Sequence, residues 1–282
     1  MTGDQGGASA DDRPLTASVI IPAHNEETTL GRLLSRVAGA DDLDVMVVCN
    51  GCSDRSAEVA RGFGVRVLEI AEASKTAALR AGAMAAHSPL HVFVDADVVI
   101  DAAALRALAS AVDVPDPRVA GPHRTMDASR SSWAVRSYLR FWERLPTVRS
   151  SLAGRGVLAL SPAAVQRLGE FPDVVADDLL VHRSFAPSER VEVSSVDVTV
   201  VAPRRVNDLV RRRIRVLHGT EDVARRFGPD DGSRTSRADL VATARDPQAL
   251  PGLPVFVCVT AWARWRARNS APTGWLRDDS SR

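Results

Sequence analysis

Ala17-Ser-Val-Ile-Ile21 is followed by Pro22-Ala-His-Asn-Glu-Glu27 and then by Leu30, Leu33, Leu34 and Val37. The first run suits a buried strand, and the last four residues keep the i, i+3, i+4, i+7 spacing of a helix with one apolar face. Outward from this unit the alternation repeats. Leu43-Asp-Val-Met-Val-Val48, Val65-Arg-Val-Leu-Glu-Ile70 and His91-Val-Phe-Val94 read as strands. Residues 54–63 and 74–86 read as helices, the second with Ala, Leu and Met on its buried side, and Pro22 is expected to stop the first strand. Alternating strands and helices make βαβ units around a parallel sheet, so the expected class is α/β. Right-handed crossovers then bring the strand C-termini to one edge, where such sheets bind ligands.

The rest of the chain narrows the classes. Of 282 residues 45% are hydrophobic and 25% charged, which suits a soluble protein with a real core. The 36 basic and 35 acidic residues leave a net charge of +1, so no global field recruits nucleic acid. Three cysteines, Cys49, Cys52 and Cys258, are too few for a disulfide scaffold and suit a reducing cytoplasm. Met1 to Thr16 lacks the apolar core of a secretion signal. Leu253 to Ala263, interrupted by Pro254 and Thr260, falls short of the roughly 20 residues that span a bilayer.

Four segments at the expected ligand edge carry chemistry. Asp95-Ala96-Asp97 closes the fourth strand, and residues i and i+2 of an extended chain point the same way. Two hard carboxylates at a strand end suit Mg²⁺ or Mn²⁺ completed by substrate phosphate; the bland reading is a strand end with Asp101 capping the next helix. In Pro22-Ala23-His24-Asn25-Glu26-Glu27, Asn25 suits a helix N-cap, or the loop backbone and Glu26 contact a nucleoside. Cys49-Asn50-Gly51-Cys52 has zinc spacing without a second ligand pair, whereas Asn50, followed by the turn former Gly51, can hydrogen-bond a flat heterocycle. Ser74-Lys75-Thr76 opens a helix. Lys75 is the only lysine among the 36 basic residues, and it reads either as an exposed helix residue or as a cation beside helix amides that hold a diphosphate.

Residues 1–14, rich in Gly, Ala, Ser and Asp, read as a flexible lead-in. Residues 15–125 form the regular half and 126–230 a less regular half. The latter holds a helix over 131–144, a glycine-punctuated stretch over 152–160, a helix over 177–185, a strand over 191–201 and an arginine-rich helix over 206–218. Residues 231–282 read as a polar tail containing an amphipathic helix.

Val19-Ile-Ile-Pro-Ala-His-Asn-Glu-Glu27, Cys49-Asn-Gly-Cys-Ser-Asp54, Ser74-Lys-Thr-Ala-Ala-Leu79 and Val94-Asp-Ala-Asp97 together resemble the donor half of family 2 glycosyltransferases. Gly154-Arg-Gly156, Leu168-Gly-Glu-Phe-Pro172 and Ala176-Asp-Asp-Leu-Leu180 resemble that family's acceptor side, and the likeness spans residues 17 to 219. The resemblance implies a GT-A fold, a mostly parallel Rossmann-like sheet flanked by helices with a smaller acceptor-side half. It implies an inverting enzyme that moves a sugar from a nucleotide-diphosphate sugar to an acceptor hydroxyl, with Asp97 on the divalent ion and Asp95 assisting. Asp178, or its neighbour Asp177, would be the general base, Gly154 and Gly156 would border the donor, and His218 would be a late metal ligand if not structural. Arg212-Arg-Ile-Arg-Val216 departs from the Gln-x-x-Arg-Trp of processive synthases, so transfer of one sugar is expected.

Two features stay open. The cluster Arg204, Arg205, Arg211, Arg212, Arg213 and Arg215 is a solvated face, or Arg215 reaches the diphosphate or an anionic acceptor. Residues 255–268 combine Phe256, Trp262 and Trp265 with three arginines: an interfacial helix that meets a lipid-linked acceptor at the inner face of the plasma membrane, or a helix packed on the core. A sugar-phosphate nucleotidyltransferase is disfavoured because its glycine-rich loop is missing after the first strand, and a Rossmann oxidoreductase because G-x-G-x-x-G is missing there. A non-catalytic binding protein would not need all of Asp95, Asp97 and Asp178.

Overall fold

The computed structural model describes residues 17–169, 181, 183–228 and 235–269. Residues 1–14, Asp177 and Asp178 lie outside the described residues, as does most of the expected 177–185 helix.

Strands β1 (Ala17–Ala23), β2 (Leu43–Asn50), β3 (Arg66–Ile70) and β4 (His91–Val94) alternate with helices α1 (Leu30–Val37), α2 (Ser56–Gly62) and α3 (Lys75–Met84). Then come α4 (Ala102–Val112), β5 (Val119–Asp127), α5 (Trp133–Trp142), α6 (Pro146–Arg149), β6 (Val157–Leu160), α7 (Pro162–Leu168) and β7 (Arg190–Val201). Helices α8 (Val206–Phe227), α9 (Arg237–Ala244) and α10 (Leu253–Arg268) follow. The sheet runs β3-β2-β1-β4-β6-β5-β7, and among the described strands only β6 is antiparallel to its neighbours, β4 and β5.

Every residue of β1 is buried, because a central strand of a doubly covered sheet has no wet face. Val19 and Ile21 point into the core shared with α1 and α4, whereas Ile20 points into the core under α3. On α1 the four apolar residues Leu30, Leu33, Leu34 and Val37 are all buried, each contributing about 1.5–3 kcal/mol. Helix α3 lies so close to the sheet that a Cβ on Gly82 would stand 2.4 Å from Ile20 Cγ2. Met84, expected on the buried side of α3, is instead 79% exposed, because the helix touches the sheet through its small residues.

Pro22 does not stop β1; it pairs with Val48 of β2. Pairing with β4 ends at Ile20, so Pro22 sits where the strand is locally an edge and a missing donor is tolerated. The expected division at residues 125/126 falls within β5, since β5 and β7 extend the same sheet. Their pairing carries a register shift at Pro122/His123, and both strands run on past the last β5–β6 pair, Ala120↔Ala159. This ribbon supports a third core built from α5, α8 and α10. There the Phe256 ring lies 5.3 Å from Tyr138 and 4.8 Å from Phe141. Helix α10 is therefore packed against the body of the protein rather than being part of a tail. Among the described residues no helix is long and apolar enough to cross a membrane.

Candidate active site at the carboxyl edge of the sheet

β4 ends at Val94 and hands the chain to Asp95-Ala96-Asp97. Ala96 turns inward and is buried, Asp95 is half-buried and Asp97 is exposed. Because β6 runs antiparallel to β4, its start brings the glycine loop to this same edge, and the Asp95 amide donates to the Gly156 carbonyl at 2.8 Å. Gly156 has φ +70°, and a Cβ there would stand 2.5 Å from Val98 Cγ2 and 3.4 Å from Asp95 Oδ2. Gly154 also has positive φ, beside the Arg124 guanidinium. Arg155 between them is 4% exposed. Its guanidinium donates to the Pro122 carbonyl, to Ser151 O at 2.8 Å and to Glu192 Oε2 at 2.6 Å. Burial opposes the charge on Glu192, but hydrogen bonds from His123 and Arg155 outweigh it and hold the carboxyl below its usual range.

Helix α3 starts at the same edge, with the Ser74 hydroxyl accepting from Ala77 N at 3.2 Å. This cap sets Lys75 so that its Nζ lies 2.7 Å from Asp95 Oδ1. Lys75, Phe93, Asp95, Arg155 and Gly156 line a slot of about 30 Å³, the room of one water or small ion. A larger ligand must therefore lie outside the slot. Asp95 and Asp97 offer hard oxygen donors of the kind a divalent cation takes, and the Lys75 ammonium on Asp95 is a competing cation that a metal there would have to displace.

The β1–α1 and β2–α2 loops are stitched together beside this turn. His24 Nδ1 donates to the Asn50 carbonyl at 2.6 Å, Glu26 N donates to Ser56 Oγ at 2.7 Å, and Ser53 N donates to Asn25 Oδ1 at 2.8 Å. Asn25 has φ 54° and is not the N-cap of α1, which follows Thr29; its side chain bridges the two loops instead. Glu26 accepts from Thr29 Oγ1, and Pro22 and Ala23 are buried. The Gly51 amide donates to Ile70 O at 2.8 Å. Asn50 is 1% exposed and its Nδ2 has no partner among the described residues, so the side chain expected to meet a heterocycle is enclosed. Burial, then the neighbouring Cys52, pushes the Cys49 thiol up to about 12, and among the described residues no third His, Cys, Asp or Glu joins Cys49 and Cys52 to hold a metal.

The second half contributes unevenly. His218 Nε2 lies 3.2 Å from Ala267 O of α10. Among the described residues no three His, Cys, Asp or Glu side chains gather to hold a metal, so His218 does not join Asp95 and Asp97. The arginine cluster is no simple solvated face: Arg211 is exposed and paired with Asp208, whereas Arg212, Arg213 and Arg215 are half-buried. Arg124 was not anticipated. Burial and the nearby Arg155 lower its pKa to about 10, and its guanidinium stacks 4.8 Å above the Trp142 ring. Its only sequence signal was one more arginine in an arginine-rich chain.

A family model described as glycosyl transferase family 2 matches residues 18–159, half of the chain. An uncharacterised glycosyltransferase of Mycobacterium bovis is 29% identical over 119 residues, 42% of this chain and 54% of that protein. The 4,4'-diaponeurosporenoate glycosyltransferase of Staphylococcus aureus is 35% identical over 88 residues, 29% of this chain and 24% of that protein. The chain thus spans about half the length, or less, of these curated relatives. Among solved structures, a Pyrobaculum calidifontis mannosyltransferase in complex with GDP-Man and Mn²⁺ has TM-score 0.60 and 20% identity, covering 95% of this chain and 81% of that one. A Mycobacterium tuberculosis glucosyl-3-phosphoglycerate synthase with Mn²⁺, UDP and glucosyl-3-phosphoglycerate has TM-score 0.55 and 19% identity, covering 82% and 88%. The chain belongs to glycosyl transferase family 2, and its sheet is that of the GT-A glycosyltransferases.

Proposed function

We propose that this family 2 member is an inverting transferase that moves one sugar from a nucleotide-diphosphate sugar to an acceptor hydroxyl. The observation that carries the reading is the convergence of Asp95, Asp97, Lys75 and the Gly154–Gly156 loop at one strand edge, with the Lys75 ammonium 2.7 Å from Asp95. Asp97 and Asp95 would hold Mn²⁺ or Mg²⁺, which when bound offsets the charge that builds on the leaving diphosphate. Two of the structural neighbours are complexes with Mn²⁺ and a nucleotide or nucleotide sugar, which supports that assignment.

Lys75 is an anion ligand whose resting partner is Asp95, and a diphosphate arriving at the α3 N-terminus offers it a second one. The stitched loop from Pro22 to Glu26, with Asn50 and Gly51 behind it, forms the floor for the nucleoside. The enclosed Asn50 amide means that the base is read by backbone and loop shape, so no base is assigned. Asp178, with Asp177 as the alternative, takes the proton from the acceptor hydroxyl as it attacks the anomeric carbon. Arg215 remains the α8 candidate for the departing diphosphate.

The acceptor is a glycan, a secondary metabolite or a lipid-linked molecule. Two features of α10 support a peripheral contact with a membrane surface. Val257, Trp262 and Trp265 are exposed at 52%, 38% and 64%, and Arg264, Arg266 and Arg268 are exposed beside them. Trp265→Ala should reduce flotation with anionic liposomes, and undiminished flotation would remove α10 from that role.

The test of the transfer reading is a thermal-shift screen of nucleoside diphosphates and their sugars with and without Mn²⁺. A ligand that binds only the folded state raises the melting temperature. A Mn²⁺-dependent rise with at least one nucleotide sugar is expected, and no rise across the set would end the proposal.

A further inference from the structure

A second cavity, of about 590 Å³, opens beyond the far end of β5. That volume is within the range of small-molecule sites. One wall is α5 and the turn after it, from which Arg136, Arg140 and Arg144 enter at four-residue steps. Like charges one turn apart repel, so nothing within the helix favours this row. Arg144 is fully engaged, with Nε 3.0 Å from Asp246 Oδ2 and a nitrogen donating to Gln248 Oε1 at 2.8 Å. Arg136 donates to the Ser131 carbonyl. The exposed Arg140 guanidinium makes no hydrogen bond or ion pair among the described residues. Asp246 balances Arg144, so Arg136 and Arg140 against Glu143 leave the cavity with one positive charge. Glu143 is half-buried, and burial raises its pKa against the pull of Arg124 and Arg144.

The cavity also has the right address. β5 runs parallel to β4 and continues to Asp127, past the level at which β4 yields to Asp95. Arg124 bridges the two places: it stands beside Gly154 and stacks on Trp142, next to Glu143.

We propose that this cavity binds the phosphoryl group of the acceptor, with Arg140 as its main contact, Arg136 as the second, and Glu143 receiving a hydroxyl of the same molecule. Guanidinium forks match phosphate oxygens in pairs, and Arg140 is available for this. The assignment to the acceptor rests on the transferase reading above; the anion site itself does not.

The probes are glycerol 3-phosphate, followed by calorimetry, and phosphatidylcholine vesicles containing phosphatidic acid, followed by flotation. Glycerol 3-phosphate should bind the full-length protein, at least about tenfold more weakly in Arg140→Gln, and not measurably in the Arg136→Gln, Arg140→Gln double variant. Arg149→Gln, exposed and outside the cavity, should bind like the parent. Binding of vesicles alone, with the same dependence on Arg140, would support the site with a lipid headgroup as the source of phosphate. Absence of binding by both probes, equal binding by the double variant, or displacement of glycerol 3-phosphate by UDP or GDP would overturn it. Nucleotide binding in Asp97→Ala reports on the donor edge alone. Its persistence there, with glycerol 3-phosphate still dependent on Arg140, would remove the donor reading and leave the anion site standing.

Discussion

The edge of β4 and the helical layer around α5 are built by opposite means. At the edge, strand ends and loops are locked by hydrogen bonds between residues far apart in sequence, such as His24 to Asn50 and Asp95 to Gly156. Around α5 the position of each arginine depends on aromatic packing, with Phe256 wedged against Tyr138 and Phe141. Hydrogen-bonded loops fix direction, which suits a diphosphate. A helix face fixes spacing, which leaves room for different guests.

Breaking the packed layer should give the largest effect. Phe256→Ala should cost about 3–5 kcal/mol in denaturant unfolding while nucleotide affinity at the β4 edge is unchanged in the folded fraction. A parallel loss of nucleotide affinity would mean that the two regions are not distinct. Asp178→Asn should lower turnover by about 10²-fold or more with donor binding intact. Full turnover would move the base to Asp177 or elsewhere.

Asp44 sharpens the contrast from the opposite end of the sheet. Burial works against its charge, but hydrogen bonds from Arg66, Ser18 and the His87 amide prevail and hold its pKa below the usual value. A lowered carboxyl pKa contributes stability above the ordinary range, near pH 4, and that stability is lost as the pH falls through the lowered value. Asp44→Asn should therefore cost about 2 kcal/mol at neutral pH and flatten the acid limb of the stability curve, with no change in nucleotide affinity. An unchanged acid limb would show that the Arg66 pair contributes nothing.

The sequence was most readable where the sheet imposes a period. Leu30, Leu33, Leu34 and Val37 were visible as the face of α1, and His91–Val94 as a strand, because burial there follows spacing. β5 was missed: only its first four residues are buried, and Gly121 and Pro122 precede the register shift, so the pattern of a strand is broken where the ribbon leaves the core. α9 was hidden in a polar stretch, although Ser236 and Asp239 form a capping box whose spacing was there to read. Helix α7 was missed too, although Ser161 caps it and Pro162 opens it. Asn25 was read as a cap because its residue type allows it, but it has φ 54° and its side chain accepts from Ser53 N of the neighbouring loop, which one loop alone does not reveal. Lys75 was legible as a singularity and Arg155 was not, since one arginine among 35 stands out only when burial singles it out.

Titration of UDP and GDP into the parent protein and into Asp97→Ala, each with Mn²⁺ and again with EDTA, tests the donor edge most directly. Tight binding by the parent that needs Mn²⁺, is reversed by EDTA and disappears in the variant is the predicted result. Equal affinity in all four conditions would contradict it.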